Sequence, residues 1–393
     1  MACRRDKNDE VSDKAQKQMR LSITCRKVED LAKEKFGKPA TLISPLIIGG
    51  FNILYRIRLE GTSPDIIIRL PCPSLVQFPI EKTIQEAATA ALIEKQTLGT
   101  LQAIWGKVAH SLLQLSRITF SRIRSLVKVS NGTYEVRGRP ITHNMTDIVR
   151  LANIPRCVLP PEGKTYETTD KWYTALADIH IAQLIFQHND LVASKDDCRN
   201  KYVARQIFRR LAKQGRLSIF GFAEDTWSEY TYVGPTQFIL DPPWWLLLET
   251  AEMWSSGIDE WKKTYELRLK TWLSSMSKAE AGMTEPNPLP APLSTYMRES
   301  WETGRFFLSY AARKSWAFDA MYWKFLDERF FGARESGIFK NDLWKTRIHL
   351  LSEEERAAIE PFVERKMAES KTRCIIDWDP TEARQRFSEL LFD

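Results

Sequence analysis

Two carboxylates near the carboxyl end of the sequence have the residue types and spacing of a metal site. The stretch "CIIDWDP", Cys374–Pro380, places Asp377 and Asp379 on either side of a tryptophan, directly after three apolar positions. A short buried strand that ends in an aspartate could hold Mg²⁺, because hard cations prefer carboxylate oxygens. The other interpretation is a strand or turn late in the chain, with Pro380 opening a last helix. The residue types alone leave both interpretations open.

A second stretch follows the residue order of a catalytic loop. "HNDLVASK", from His188 to Lys195, is close to the pattern His-x-Asp-Leu-x-x-x-Asn, in which the aspartate is the base and the asparagine binds a metal. Lys195 occupies the asparagine position, so the sequence argues against a catalytic role for Asp190. His180 lies in "LADIHIAQL", where the apolar spacing predicts a packed core histidine.

A glycine turn and an arginine in the first quarter of the chain could bind phosphate, and a glutamate could hold that arginine in place. The turn is "GGFN", in which Gly49 and Gly50 allow backbone N–H groups to approach a phosphate and Asn52 follows. Arg69 could present a cation to that phosphate, and Glu86 could hold the arginine in place. An arginine is a planar fork, so it could keep the ion pair while altering the phosphate geometry. The alternatives are an ordinary hairpin turn and a surface arginine at a strand end.

The elements that would position these residues are predicted from apolar spacing. Residues 11–36 are predicted to form an amphipathic helix, and residues 81–97 another helix. Between them, three apolar runs separated by turn residues predict an antiparallel meander: Leu46–Ile48, Phe51–Leu59 and Ile66–Leu70.

From about residue 98 the pattern is helical almost throughout. All 13 tryptophans lie at or after Trp105, which supports a boundary near residue 97. The proline-rich stretch 284–294 is predicted to be a loop, and "DPPWWLLLE" is predicted to start a buried helix with its prolines in the first turn. The stretch "SEEERAAIE" has a capping-box pattern in Ser352 and Glu355. The order of a strand, a glycine turn, two strands and a helix, followed by a larger helical body, is the layout of a protein-kinase-like bilobal fold. We therefore predict an α+β fold of this kind, with a small β-rich N-lobe in residues 1–97 and a helical C-lobe in residues 98–393.

Composition excludes several classes of partner. The net charge of +7 is spread along the chain without a stripe of basic and aromatic residues, so no nucleic-acid partner is predicted. The six cysteines form no Cys-x-x-Cys pair, which argues against a zinc site or a disulfide framework. No apolar stretch is long enough to span a membrane, and the first residues contain no apolar signal segment. We expect a cytoplasmic protein; oligomeric state has no sequence signal.

Several motifs resemble a known family. Fungal proteins of the aminoglycoside phosphotransferase, or choline-kinase-like, family are similar to this chain over nearly its whole length. The resemblance is carried by these stretches: "GGFNILYRIRL", "IIIRLP", "EAATAALIEKQT", "RPITHNMTDIV", "LADIHIAQLIFQHNDLVASKDDCRNKYVAR", "LAKQGRL", "GPTQF", "DPPWWLLLE", "GRFFLSYAARKSWAFDAMYWKFLDERFFG" and "EPFVERKMAESKTR". It implies a protein-kinase-like fold, ATP and Mg²⁺ as cofactors, and transfer of the γ-phosphate to a hydroxyl of a small molecule.

The chain departs from this family at two places. "EKQT" runs directly into "LGTLQAIWGKVAHSLLQLS", so the strand pair and hinge that follow the first helix in the family are predicted to be missing. The stretch "GRLSIFGFAEDTWSEYTYVGPTQFIL" contains no Asp-x4-Asn pair, where the family has its catalytic loop. Aligned on "TYVGP", Glu229 matches the glutamate of the family's metal motif, and Trp227 stands at its metal-binding aspartate. Asp225 could replace that aspartate only through a local shift in register.

These departures predict a phosphotransferase-like protein whose catalysis is impaired, with no catalytic residue identified. The tentative metal ligands are Asp225 and Glu229. The alternatives are a pseudokinase that binds a ligand or a protein, and a non-functional truncated gene product. In the family the metal aspartate precedes "PPWW", whereas Asp377 follows it, so the resemblance favours a structural role for "CIIDWDP". Replacement of the lost metal strand by this stretch stays an alternative.

Overall fold

The computed structural model describes residues 14–15, 17–48, 52–61, 65–72, 78–86, 104–129, 132–188, 191–218, 225–228, 232–247, 250–254, 257–284, 289–335, 337–372 and 376–392. They form a mixed α+β structure that is mostly helical, with small antiparallel sheets. The chain divides into a smaller compact unit, residues 1–83 with 149–151, and a larger one, residues 84–148 with 152–393. The predicted α+β class is confirmed.

The smaller unit contains the predicted helix and meander. Helix α1 (Ser22–Phe36) is followed by strands β1 (Ala40–Ile48), β2 (Asn52–Leu59) and β3 (Ile66–Pro71), which pair antiparallel in the order β1-β2-β3. The prediction of three strands is confirmed, because the apolar runs and the turn residues between them already define this arrangement.

One face of this sheet packs against α1. Four residues of β2 at alternate positions are buried, and they pack with Val28 and Ala32 of the helix: Ile53, Tyr55, Ile57 and Leu59. The Tyr55 hydroxyl also donates a hydrogen bond of 2.7 Å to the Met19 carbonyl. Each large apolar side chain buried in this way stabilises the unit by about 1.5–3 kcal/mol.

The larger unit is built mainly from helices. Residues 79–86 are helical, which agrees with the described part of the helix predicted at 81–97. The helices that follow, in chain order, are α2 (Ile104–Leu115), α3 (His143–Ala152), α4 (Thr169–Phe186), α5 (Lys195–Lys213), α6 (Thr236–Ile239), α7 (Ile258–Ala281), α8 (Leu293–Glu302), α9 (Arg305–Arg313), α10 (Phe318–Met321), α11 (Asp327–Phe331), α12 (Leu343–Arg347), α13 (Glu353–Ala357), α14 (Ile359–Thr372) and α15 (Pro380–Ser388). Among the described residues, no helix is both long and apolar enough to cross a membrane.

The described part of the chain after residue 98 is mostly helical, as predicted, but two hairpins that were not predicted interrupt the helices. Strands β4 (Ser125–Lys128) and β5 (Tyr134–Gly138) form one two-stranded sheet, and β6 (Asp225–Ser228) and β7 (Tyr232–Pro235) form another. Strands of four or five residues are too short to show a clear alternation in the sequence. Pairing with the neighbouring strand, and not an apolar run, defines them.

The predicted helix start at "DPPWW" is also corrected. Only a 3₁₀ turn, Trp244–Leu246, follows the prolines, and Leu247 is already extended (φ −112°, ψ 146°). The Trp245 side chain is 38% exposed, although its ring lies 5.8 Å from that of Trp272. Packing of the rings against separate neighbours holds the segment in this turn, because the Trp244 ring lies under the Lys314 ammonium at 4.1 Å.

Two local predictions are confirmed. Helix α7 ends at Ala281 and α8 begins at Leu293, and the described residues between them are not helical. Ser352 and Glu355 form the predicted capping box: the Ser352 amide donates to the Glu355 carboxylate (2.6 Å) and the Glu355 amide to the Ser352 hydroxyl (3.1 Å).

Helix α5 is central to the larger unit, although many of its buried residues are polar. Their side chains bond to segments far along the chain. Asn200 donates to the Lys340 carbonyl (2.8 Å), and Tyr202 donates to the Glu355 carbonyl (2.9 Å). Gln206 donates to the Leu390 carbonyl (3.0 Å). Residues 340–392 therefore supply partners for several buried polar side chains of this helix.

Candidate functional site

Asn52 and Arg69 lie on the same face of the three-stranded sheet. In the β2–β3 register Asn52 is opposite Pro71, and Leu54 is opposite Arg69. Residues that pair across an antiparallel sheet, and residues two apart on one strand, project to the same face. This face is the one opposite to Ile53 and Tyr55, which pack towards α1. Two of the predicted phosphate contacts therefore share the face away from that helix.

The same face carries further charge. Arg56 continues the row of Asn52 and Leu54, and its Nε donates to Asp65 at 2.7 Å. Arg58 donates to the same carboxylate from Nε (3.0 Å) and from a terminal nitrogen (3.3 Å). The hydrogen bond from Arg58 is the main cause that lowers the pKa of Asp65. Arg56 and Arg58 thus share one carboxylate, whereas Arg69, the predicted phosphate contact, lies nearer to the Asn52 end of the face.

The other predicted nucleotide and metal residues lie outside the described residues or in the larger unit. Gly49, Gly50 and Glu229 lie outside the described residues. Asp225 is the first residue of β6 and pairs with Pro235 of β7. Arg69 belongs to the smaller unit and Glu86 to the larger one, so their ion pair stays a prediction. Within the described residues, no group of three or more histidine, cysteine, aspartate or glutamate side chains could hold a metal ion.

The carboxylates of "CIIDWDP" have a structural environment. Asp379 is the N-cap of α15: its Oδ1 accepts hydrogen bonds from the amides of Thr381 (2.9 Å) and Glu382 (3.0 Å), with Pro380 at the first helical position. Asp377 is exposed. The structural interpretation of Asp379 is confirmed.

The stretches "CIIDWDP" and "HNDLVASK" contact each other. The ring of Trp378, from "CIIDWDP", lies 5.7 Å from that of His188, from "HNDLVASK", and 5.1 Å from that of Phe186 at the end of α4. The guanidinium of Arg386 lies over the same indole at 4.8 Å. Sequence analysis missed this contact, because the two stretches are almost two hundred positions apart.

Beside Trp378 lies a buried cluster of charged side chains that we name the clasp: His188, Lys366, Glu369 and Arg386. Glu369 binds Arg386 through one oxygen, and its other oxygen lies 3.3 Å both from the Lys366 ammonium and from the His188 Nε2. Lys366 also donates to the Ile185 carbonyl at 2.8 Å. The clasp therefore joins the end of α4, helix α14 and helix α15.

Burial sets the protonation of the clasp. It lowers the pKa of Lys366 to about 8 and, against the attraction of Glu369, the pKa of His188 to about 4. Burial alone would raise the pKa of Glu369, but Lys366 and Arg386 outweigh it and the pKa falls. At neutral pH the clasp thus holds a carboxylate, an ammonium, a guanidinium and a neutral imidazole. This arrangement can hold a segment in place.

A serine–histidine pair also exists, but it is structural. His180 Nδ1 lies 2.8 Å from the Ser315 hydroxyl, which accepts a bond of 2.8 Å from the Asn144 amide nitrogen. His180 is fully buried, and burial lowers its pKa to about 3. The predicted core role of His180 is confirmed; its partners Ser315 and Asn144 had no sequence signal.

Two clefts on the larger unit contain none of the predicted site residues. One of about 550 Å³ is lined by Arg334, Phe339 and Arg347 among others, and one of about 520 Å³ by Arg209 and Arg210. Their arginines already bond to Asp327, to Asp178 or to Glu355. No family model, curated protein or solved structure matches this chain.

Proposed function

We propose that the chain is a kinase-like protein of the aminoglycoside phosphotransferase type that binds ATP with Mg²⁺ and transfers phosphate poorly. One observation carries the proposal: Asn52 and Arg69 share one sheet face at the end where β1 turns into β2. Arg69 is exposed, and the sequence places Gly49 and Gly50 just before Asn52. These residue types suit the phosphates of a nucleotide, because backbone N–H groups and a guanidinium both bind phosphate oxygens. The bilobal protein-kinase-like arrangement of the two units is part of this proposal.

The sequence supports the impaired transfer. Between Gln214 and Leu240 no aspartate is followed five positions later by an asparagine, and Trp227 stands where the resemblance places a metal aspartate. Phosphoryl transfer depends on a positioned base and on metal ions that neutralise charge. A chain without this pair would keep binding and lose most of its rate. The acceptor, if one is used, is a small molecule with a hydroxyl group.

A thermal-shift titration with ATP and Mg²⁺ tests the binding. We expect saturable stabilisation of the wild type, because a ligand that binds only the folded state raises the melting temperature. Arg69→Ala should remove the shift. Arg58→Ala is the matched control: Arg58 is on the same sheet but about 20 Å along β2 from Asn52, so the shift should persist.

Two outcomes would overturn the proposal. No shift of the wild type at millimolar ATP would favour the alternative, a pseudokinase that binds another ligand or a protein. Rapid transfer of the γ-phosphate to choline, an aminoglycoside or another hydroxyl compound would contradict the impaired catalysis. An equal shift in Arg69→Ala and wild type would remove Arg69 from the site.

A further inference from the structure

Residues 376–392, which we name the strap, are attached to the larger unit largely through their backbone. Asn153 donates from its side chain to the Ile376 carbonyl (2.7 Å). At the other end Gln206 donates to the Leu390 carbonyl (3.0 Å), and Arg209 donates to the Phe392 carbonyl (2.9 Å). Leu390 and Phe392 lie beyond the end of α15, and α5 supplies the donors for their carbonyls.

The apolar attachment of the strap is small. In α15 only Ala383 is buried, and beyond the helix Leu390 is 3% exposed. Trp378 and Phe387 are half-buried, and their rings lie 5.1 and 6.5 Å from that of Phe186. A segment with so few buried apolar side chains gains little from the hydrophobic effect, so polar and ionic contacts decide whether it stays bound.

Between the two described ion pairs of the strap, the one in the clasp is the more buried, because the Arg365–Glu389 pair is largely exposed. Glu369 is one anion facing two cations, Lys366 on its own helix and Arg386 on the strap, and its side chain is only 13% exposed. Among its described neighbours, His188 is a neutral imidazole, and the thiol of Cys198 on α5 stays protonated because burial raises its pKa to about 12. Loss of the Glu369 charge would leave two cations together away from water, which is strongly unfavourable.

We propose that the strap is a releasable element, held closed by the charge of Glu369, which detaches while α4 and α5 stay folded. Opening breaks the Arg386–Glu369 bond and the stacking on Trp378. It uncovers a groove that contains the ring of Phe186 and the donors Gln206 and Arg209. The occupant of this groove is the strap itself, because these donors match its carbonyls.

Hydrogen exchange of the full chain, measured by mass spectrometry near neutral pH, tests this. In Glu369→Gln the amides of residues 383–392 should lose protection at least about tenfold, since a hydrogen bond to a charged group contributes that much. The amides of α4 and α5 should keep wild-type protection. Arg386→Gln, which removes the partner on the strap, should give the same pattern and serves if Glu369→Gln fails to fold.

Two further variants separate charge from packing. Arg365→Gln breaks the solvent-exposed pair with Glu389 on the same helix and strap, so protection should change by less than about twofold. Adding Lys366→Met to Glu369→Gln removes the excess cation and should restore part of the protection. The proposal is overturned if the strap amides of Glu369→Gln are as well protected from exchange as those of the wild type. It is equally overturned if the strap, α4 and α5 lose protection together.

Discussion

An aspartate binds two arginines in each unit, Asp65 in the smaller and Asp327 in the larger. Around Asp65 water reaches both partners, because the Arg56 and Arg58 side chains are 53% and 59% exposed. The Asp327 side chain is fully buried at 0% exposure. Solvent weakens the first set of ion pairs, whereas a partner lost from the second leaves charge away from water.

The same set of one aspartate and two arginines therefore contributes very differently to the two units. Arg347 binds both oxygens of Asp327, at 2.9 and 3.1 Å, and also donates to the Gly332 carbonyl at 2.7 Å. Arg334 bonds to the same carboxylate at 2.5 Å. Burial, and not the number of ion pairs, decides which set contributes more to stability. Burial in turn depends on the packing of segments that are far apart in the chain.

The largest effect is expected for Asp327→Asn. The substitution keeps the shape and removes the anion from two largely buried arginines, so we expect a loss of about 3–5 kcal/mol in the free energy of unfolding. Urea unfolding followed by circular dichroism measures it. A loss as small as that expected for an exposed ion pair would contradict the conclusion that burial makes the Asp327 set the more stabilising one.

A second, smaller effect is expected from pH. The folded pKa of His180, about 3, is below its ordinary value of 6.5, so the unfolded chain binds the proton first and stability is lost as pH falls below about 6.5. The loss should be about 1.4 kcal/mol per pH unit from this histidine, or about 2 kcal/mol at pH 5. Urea midpoints from pH 7 to pH 5 measure the slope.

Two matched variants test whether His180 causes this dependence of stability on pH. His180→Gln should flatten it, whereas His110→Gln, at an exposed position of α2, should leave it unchanged. Buried His188, whose pKa is also lowered, adds to the slope in both variants. A slope that His180→Gln leaves intact would show that burial of this histidine does not control acid stability.

The smallest effect is expected for Asp65→Asn. Its arginines remain solvated after the charge is removed, so the denaturant midpoint should be indistinguishable from that of the wild type at moderate salt. A drop close to that of Asp327→Asn would show that the exposed set stabilises the smaller unit as much as the buried set stabilises the larger one.

Local patterns explain which predictions succeeded. The meander of the smaller unit, the capping box at Ser352 and the N-cap at Asp379 all depend on residues a few positions apart, and all three are found. The hairpins β4–β5 and β6–β7 were missed because their strands are too short for a period to show. The Lys366–Ile185 bond and the Trp378–His188 contact join residues far apart in the chain, and such pairs leave no local trace.

The phosphate-binding prediction lies between these cases. Strand register, which follows from the apolar alternation, is enough to place Asn52 and Arg69 on one face. Placing Glu86 beside Arg69 requires the relation between two units, which no local pattern encodes.

The polar side chains of α5 have a consequence for synthesis of the protein on the ribosome. Asn200, Tyr202 and Gln206 leave the ribosome well before their partners at Lys340, Glu355 and Leu390. Until residues 340–392 have been translated, these three donors lack their partners, although α5 can already pack against α4. The larger unit therefore completes its folding late, and chaperones have a long interval in which to bind α5.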